Sequence, residues 1–209
     1  MCKYHPRKIH IIGSVGSGKT TLGRILSKKL NVPHCELDNV VWKRFDTGDV
    51  RRNEAERDEY LFHIIQSDGW IIEGVHYEWV QQSFKNADMI ILLNPAYSTR
   101  TYRIIKRFIL QKLGIEKSNY KPTFAMFRKM FVWNRHFENK SKPEILKILN
   151  EYEDKVVTIN DTRNLEKIID WSPDDERTMY SHCRGKRHSP IIRVNAWLHR
   201  RFLSKTKAK

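Results

Sequence analysis

Short apolar runs alternate along the chain with longer stretches in which apolar residues recur every three or four positions. The runs predict strands at residues 8–12, 34–38, 70–74, 89–93 and 156–159. The longer stretches have the spacing of a helix with one buried face, and they predict helices at 19–30, 53–67, 97–107, 143–153 and 164–171. This alternation is typical of an α/β fold with a parallel sheet. The run at 89–93 is apolar throughout, which favours a central strand buried on both faces.

The composition changes at residue 172, where residues 172–176 have the Ser, Pro and acidic content of a linker. We therefore predict a domain at residues 1–171, with a basic lid at about 97–142, and a basic extension at 172–209. Residues 191–203 predict an amphipathic helix in that extension. Two interpretations of this helix stay open: docking on its own domain or a partner, and contact with a membrane surface or nucleic acid.

Positive charge dominates the chain and is unevenly distributed. The formal net charge is +15, and residues 97–150 hold 13 Lys and Arg against 3 Asp and Glu. Such clustering indicates anionic partners, nucleic acid among them, although a solvated basic surface explains part of it equally well. No apolar run is long enough for a membrane span, the N-terminus lacks the apolar stretch of a secretory signal, and the three cysteines are scattered. We therefore expect a cytoplasmic protein with no membrane span.

The turn between the first predicted strand and the first predicted helix carries the most specific motif. Residues 13–20 fit G-x-x-x-x-G-K-[ST], a loop whose backbone N–H groups surround phosphate oxygens at the start of a helix. Lys19 is predicted to reach the β- and γ-phosphates of a nucleotide, and the Thr20 hydroxyl to ligate Mg²⁺. The predicted nucleotide-binding residues are Gly13, Ser14, Val15, Gly16, Ser17, Gly18, Lys19, Thr20 and Thr21. The alternative is a Gly/Ser-rich turn with no ligand.

Two acidic residues lie at the carboxyl ends of predicted strands, Asp38 in the second and Glu73 in the third. Ligands in open parallel sheets bind beyond the carboxyl ends of strands. Asp38 is therefore a catalytic candidate that orients or deprotonates a phosphoryl acceptor, and Glu73 is a candidate to hold Mg²⁺ through water. A helix cap is the alternative for Asp38. Trp42, Arg57 and His76 are acceptor-side candidates, although core packing explains Trp42 and a polar loop position explains His76.

Three arginines mark the start of the basic lid. Arg100, Arg103 and Arg107 have the spacing i, i+3 and i+7, so they share one helix face. Guanidinium groups on one face suit the oxygens of a transferring phosphoryl group, and all three are predicted to be catalytic. A basic surface helix is the alternative. The aromatic and basic residues 124–137 fit base stacking with nucleic acid and an amphipathic lid helix equally well.

These motifs resemble the nucleoside- and nucleotide-kinase group of P-loop proteins, to which adenylate and shikimate kinases belong. Within that group, residues 8–171 are most similar to bacterial ATPase/kinase-like proteins labelled "DNA topology modulation" proteins. The matching segments are the P-loop, Leu37-Asp38 with Trp42, Arg57-Asp58-Glu59-Tyr60, Trp70–Gly74 and the arginine helix. The resemblance implies a three-layer P-loop fold with a five-stranded parallel sheet in the order 2-3-1-4-5 and helices on both faces. It also implies a lid that carries arginines, and ATP with Mg²⁺ as the phosphoryl donor.

The sequence departs from both groups at the end of the third predicted strand. It reads Glu73-Gly74-Val75-His76, where the "topology" proteins usually have Asp-Gly-Asn-Tyr and adenylate kinases have an arginine, so AMP is a poor candidate acceptor. We therefore expect a MgATP-dependent phosphotransferase acting on a small-molecule acceptor whose identity, like the oligomeric state, the sequence does not indicate. The alternative is a nucleotide-regulated DNA-binding or regulatory P-loop ATPase, which the basic segments suggest.

Overall fold

The computed structural model describes residues 6–116 and 123–161. Its strands are β1 (Lys8–Gly13), β2 (His34–Glu36), β3 (Trp42–Lys43), β4 (Val50–Arg51), β5 (Trp70–Gly74), β6 (Met89–Leu93) and β7 (Val156–Ile159). Its helices are α1 (Lys19–Leu30), α2 (Leu37–Val41), α3 (Glu54–Ile65), α4 (Gln81–Asn86), α5 (Tyr97–Lys112), α6 (Phe124–His136) and α7 (Lys142–Leu149). A π-helical turn (Phe137–Ser141) joins α6 to α7, and a 3₁₀ segment (Asn150–Lys155) precedes β7. The helices predicted at 164–171 and 191–203, and the domain boundary predicted at 171, lie outside the described residues.

Five parallel strands form the main sheet in the order β2-β5-β1-β6-β7. Counted along the chain, these five strands follow the order 2-3-1-4-5, so the predicted α/β fold and strand order are confirmed. β1 is the central strand, in which Ile9 pairs with Ile71 on one side and with Met89 on the other. The P-loop therefore follows the central strand at the carboxyl edge of the sheet, where α/β proteins bind ligands.

Side chains of β1 alternate between two hydrophobic cores, one on each face of the sheet. Ile9 and Ile11 pack with the apolar face of α1. On the other face, Ile12 joins apolar residues of α2, α3, α4 and α7, among them the fully buried Phe84. Helices therefore cover both faces, as predicted. Within the described residues, no helix combines the length and the apolar content that crossing a bilayer requires.

The start of the helix predicted at 53–67, which is α3 in the structure, is confirmed. The Asn53 side chain accepts a hydrogen bond from the backbone N–H of Glu56 at 2.9 Å, and the Glu56 side chain accepts one from the backbone N–H of Asn53 at 3.1 Å. This reciprocal capping box satisfies two N–H groups that have no partner within the helix. The helix ends at Ile65, two residues before the predicted end.

The second predicted strand is shorter than expected. It ends at Glu36, because Leu37, Val40 and Val41 have helical spacing and bury one face of α2. The prediction that Asp38 lies at the end of a strand is therefore wrong, since Asp38 lies in the first turn of a five-residue helix.

The loop predicted at residues 45–52 contains a strand. β4 pairs with β3 in a small antiparallel hairpin, with Trp42 opposite Arg51. The Trp42 side chain is partly exposed there, so it does not pack in the core. The helix predicted at 143–153 ends earlier, at Leu149, because the chain tightens into the 3₁₀ segment.

His10 lies in the middle of β1 and is fully buried beside Phe84. Its Nδ1 is 2.8 Å from Ser83 Oγ, and that hydroxyl donates to the carbonyl oxygen of Val80 at 2.8 Å. Because a hydroxyl has a single proton, Nδ1 carries the hydrogen and donates it to Ser83 Oγ, which fits a neutral ring. Burial lowers the pKa of His10 to about 3, so the folded protein excludes the charged form.

We expect His10 to make the folded protein less stable as the pH falls from 6.5 toward about 3. In this window the unfolded chain binds a proton on His10 and the folded chain does not, so the free energy of unfolding falls by up to about 1.4 kcal/mol per pH unit. His10→Leu lacks this titration, and urea unfolding across the window should give a shallower pH dependence. His63→Leu, at an exposed position of α3, is the control and should keep the wild-type slope. Equal slopes for wild type and His10→Leu would contradict the assignment.

Candidate active site

The turn from β1 to α1 takes a backbone conformation that needs glycine at two positions. Gly16 has φ +72° and Gly18, the N-cap of α1, has φ +98°, both in the left-handed region that other residues rarely adopt. The first turn of α1 contains no acidic residue of its own, and the positive end of the helix dipole lies at this turn. This compact turn places residues 13–21, all predicted to bind nucleotide, at the start of α1.

The first two residues of α1 contact the loop and the neighbouring strand. Lys19 Nζ donates to the carbonyl oxygen of Ser14 at 3.0 Å, so its side chain folds back over the loop. Thr20 Oγ1 donates to Oε1 of Glu73 at 2.6 Å. Glu73 lies on β5 in register with Glu36 of β2. The hydrogen bond from Thr20 to Glu73 thus joins the two residues that were predicted to hold Mg²⁺.

Burial acts on both charges of this cluster. Glu73 is only 4% exposed, and burial raises the pKa of its carboxyl group. The positive charge of Lys19 and the hydrogen bond from Thr20 lower that pKa and so oppose the effect of burial. Burial also lowers the pKa of Lys19, against the attraction of Glu73 and Asp38. Each charge helps to keep the other ionised, and removal of one leaves the other buried with less compensation.

Two of the three predicted lid arginines lie beside the loop. Arg103 Nη1 donates to the carbonyl oxygen of Ser17 at 3.2 Å. The charge of Arg107 contributes to the lowered pKa of Lys19, which places the guanidinium group near that lysine. Arg107 Nη2 is 3.6 Å from the sulfur of Met130, a weak acceptor. These positions suit the predicted contact of both arginines with a bound polyphosphate, which stays a prediction.

Arg100 has a different environment from the other two. It is fully buried, its Nη2 donates to Oε2 of Glu138, and its guanidinium carbon is 5.3 Å from the ring centre of Phe137. Glu138 also accepts a hydrogen bond from Lys142 at 2.7 Å. This ion pair ties α5 to the π-helical turn, so Arg100 has a structural contact, and its predicted catalytic role stays a prediction.

A buried amide that the sequence analysis did not identify connects the lid to the P-loop. Asn134 of α6 accepts a hydrogen bond from the Ser14 hydroxyl at 3.3 Å, and its amide group donates to Thr101 Oγ1 of α5 at 3.3 Å. The sequence did contain a signal, because Asn134 shares a helix face with the buried Met130 and Phe137. A polar side chain in such a position indicates a specific hydrogen-bond partner.

Two of the three predicted acceptor-side residues, His76 and Arg57, lie close together, and His76 is near the predicted catalytic Asp38. His76 Nε2 is 4.0 Å from Oδ1 of Asp38. The guanidinium group of Arg57 lies over the ring of Trp79 at 4.4 Å, and the His76 ring is 5.2 Å from the same tryptophan. Burial lowers the pKa of His76 despite the opposing charge of Asp38, so the ring is neutral at pH 7. Sequence reasoning missed Trp79, which has no motif around it.

Comparison with known proteins finds similarity to shikimate kinases and to the protein YqaC. The shikimate kinase family model matches residues 15–65, a segment that contains Lys19, Thr20 and Asp38. The protein YqaC of Bacillus subtilis (strain 168) is 26% identical over 147 residues, which cover 70% of this chain and 81% of YqaC. A shikimate kinase of Bacillus cytotoxicus is 28% identical over 127 residues, covering 53% of this chain and 75% of that enzyme.

A solved structure has the same fold. The shikimate kinase from Acinetobacter baumannii in complex with shikimate gives a TM-score of 0.50 and covers 77% of this chain and 89% of that one, at 14% identity. At this identity the likeness shows the fold alone. It agrees with the parallel sheet between two helical layers, so the predicted three-layer P-loop architecture is confirmed.

Asn134→Ala should loosen the contact between α6 and the P-loop. The substitution removes two hydrogen bonds and leaves the buried Ser14 hydroxyl without its acceptor, a loss of about 1–2 kcal/mol, or roughly 5–30-fold in a local opening equilibrium. Hydrogen–deuterium exchange of peptides covering residues 13–20 should accelerate by about that factor. Asn139→Ala, at an exposed position of the π-helical turn, is the matched control and should leave exchange unchanged. Identical exchange in both variants would show that Asn134 does not hold the loop.

Proposed function

We propose that this chain, a P-loop kinase-like protein of the type to which shikimate and adenylate kinases belong, transfers a phosphoryl group from MgATP to a small hydroxylated metabolite. The predicted relation to P-loop kinases is confirmed, and so is the prediction that the chain is a kinase. The donor, the metal ion and the acceptor are our proposal. The observation that carries it is the contact between Thr20 and Glu73 beside Lys19, at the start of a glycine-rich loop.

The donor side contains the groups that phosphoryl transfer needs. The reaction depends on positioning and on charge stabilisation, with little covalent chemistry for the protein. In our proposal the N–H groups of residues 14–19 and the ammonium group of Lys19 hold the β- and γ-phosphates. Thr20 would bind Mg²⁺ directly and Glu73 through water. One hydroxyl and one carboxylate are enough protein ligands for Mg²⁺ when phosphate oxygens and water complete its coordination. Mg²⁺ bound there supplies charge neutralisation between the phosphates.

The lid contributes two arginines. Arg103 and Arg107 project from the face of α5 that contacts the loop, and we assign them the oxygens of the transferring phosphoryl group. Guanidinium groups stay charged when partly buried and bind such oxygens through paired N–H groups. The hydrogen bonds of Asn134 to Ser14 and Thr101 keep α5 and α6 against the loop, so they position these arginines without touching substrate.

The acceptor side centres on Asp38. Its side chain is 70% exposed, so a substrate hydroxyl can reach the carboxylate, which accepts the proton as the oxygen attacks phosphorus. The neutral His76 lies 4.0 Å from this carboxylate, and Arg57, held over Trp79 and paired with Asp58 at 2.7 Å, lies on the same side of the site as His76. These groups suit a small polar acceptor. The shikimate kinase relatives make shikimate the first candidate to test.

The described residues do not favour the alternative of a DNA-binding ATPase. Three of the basic residues of α5 have inward contacts, Arg100 with Glu138, Arg103 with the loop carbonyls and Arg107 beside Met130. Residues 172–209, the other basic segment, lie outside the described part of the chain. The resemblance to "DNA topology modulation" proteins stays a prediction, and so does the cytoplasmic location.

The proposal is tested by measuring ADP release from ATP, with and without Mg²⁺, against a panel of shikimate, other hydroxy acids, nucleosides and nucleotides. We expect release that needs both Mg²⁺ and one acceptor class. Calorimetry supplies a second readout. If folded protein takes up no purine triphosphate in the presence of Mg²⁺, the proposed function is wrong.

Lys19→Ala should abolish turnover and weaken ATP binding. The substitution removes a charge-assisted hydrogen bond to the phosphates, worth about 1.5–3 kcal/mol, so the Kd for ATP should rise roughly 10–150-fold. Lys28→Ala, at an exposed position of the same helix, is the control and should behave as wild type. Undiminished turnover in Lys19→Ala would remove the central assignment of the donor site.

Asp38→Asn should slow transfer and leave ATP affinity nearly intact. The amide cannot accept the proton of the acceptor hydroxyl, so kcat should fall by about 10²–10⁴-fold, while calorimetry gives the wild-type Kd for MgATP. Asp46→Asn, at an exposed position of the β3–β4 turn, controls for the loss of one negative charge. A variant that loses ATP binding but keeps kcat at saturating ATP would place Asp38 in the donor site.

A further inference from the structure

Helix α5 exposes apolar residues on the side that faces away from the P-loop. Tyr102, Ile105, Ile109 and Leu113 are 63%, 39%, 50% and 67% exposed. Their spacing of i, i+3, i+7 and i+11 places them on one face of the helix, and we call these four residues the outer stripe. The opposite face carries the buried Arg100 and Ile104. An ordinary surface helix has the reverse arrangement, with charged residues outside and apolar residues inside.

Lysines flank the outer stripe on both sides. At 3.6 residues per turn, Lys106 falls on one edge of the stripe and Lys112 on the other, and both are exposed. Long lysine side chains can lie along an apolar surface and extend their charges beyond it. The helix therefore combines an apolar strip with two positive borders, the pattern of a helix that lies in the interface of a membrane.

The neighbouring helix α6 also exposes apolar and basic side chains. Val132 and Trp133 are exposed there at 65% and 50%, and Phe124 at its start is 69% exposed. Arg128 and Lys129 are also exposed on α6. Tryptophan and tyrosine are the aromatic residues that concentrate at the level of lipid headgroups.

We propose that the outer stripe docks the protein on an anionic lipid surface. The apolar residues enter the boundary between headgroups and acyl chains, and the flanking lysines bind the negative headgroups. The excess of positive charge in residues 97–150, 13 Lys and Arg against 3 Asp and Glu, adds long-range attraction that salt weakens. The docking is peripheral, and it does not depend on the proposed kinase function.

Other occupants of the stripe fit less well. A second copy docked face to face would bring Lys106 and Lys112 of one chain against those of the other, which repel. Nucleic acid is bound through cations directed at phosphates, but the centre of this stripe is aliphatic and Arg100, Arg103 and Arg107 have inward contacts. Lipid is the partner that uses the apolar strip and its positive borders together.

Vesicle flotation of the full chain tests the proposal. Vesicles of mixed phosphatidylglycerol and phosphatidylcholine should bind the wild type at low salt, and pure phosphatidylcholine should bind it far less. Ile109→Asp should lower the partition coefficient by about tenfold or more, because it places a charge in the apolar strip. Phe62→Asp, at an exposed apolar position of α3, is the matched control and should bind as wild type.

A second variant covers the case in which Ile109→Asp misfolds. The double variant Lys106→Glu and Lys112→Glu keeps the apolar strip and reverses its borders, and it should lose binding to phosphatidylglycerol vesicles with an unchanged circular dichroism spectrum. Wild-type binding by either folded variant overturns the proposal. Two other outcomes also overturn the proposal. If light scattering shows a dimer that Ile109→Asp breaks, the partner of the stripe is a second copy of the chain. If Ile109→Asp loses binding to duplex DNA but binds vesicles as wild type does, the partner is nucleic acid.

Discussion

Three segments of backbone approach one another at the turn between β1 and α1, and most of the candidate site follows from that approach. A Cβ atom on Gly13 would lie 2.7 Å from the carbonyl oxygen of Leu93 in β6, and one on Gly16 would lie 2.9 Å from that of Arg100 in α5. Only residues without a side chain permit both approaches. Because α5 lies against the loop at Gly16, Arg103 reaches the loop carbonyls from the next turn. The glycines of the motif therefore position the lid as well as the N–H groups around a phosphate.

Glu73 is buried, and Lys19 in the first turn of α1 is partly buried. Burial shifts both groups toward their neutral forms, and each opposes the shift of the other. Opposite charges buried near each other add little stability, since the cost of removing them from water offsets their attraction. A ligand gives a better reason for their presence. In the proposed function Lys19 exchanges the Ser14 carbonyl for phosphate oxygens, and Glu73 and Thr20 together face a cation.

Sequence predicts well those parts of this protein that neighbouring residues determine. The P-loop with its strand and helix, and the helix that begins after Asn53, depend on short segments, and the structure confirms them. The prediction for Asp38 was wrong because the strand-like residues 34–38 overlap the helical spacing of Leu37, Val40 and Val41. The chain forms α2 from Leu37 onward because this helix buries those three apolar side chains. The partners of Arg100 and Asn134 could not be predicted, because Glu138 is 38 positions from Arg100 and Ser14 is 120 positions from Asn134. Only the fold brings such pairs together.

Helix α5 illustrates how one element can serve two environments. Its inner face carries arginines, and each has a use there, since Arg100 binds Glu138 and Arg103 binds the loop. Its outer face carries the apolar residues that a surface helix ordinarily buries, so this inverted helix is costly in water unless both faces find a partner. In the proposed docking, lipid is the second partner. Because both faces belong to one helix, a shift of α5 on the lipid would move Arg103 relative to Ser17. Any effect of lipid on nucleotide affinity must then be matched by an equal effect of nucleotide on lipid affinity.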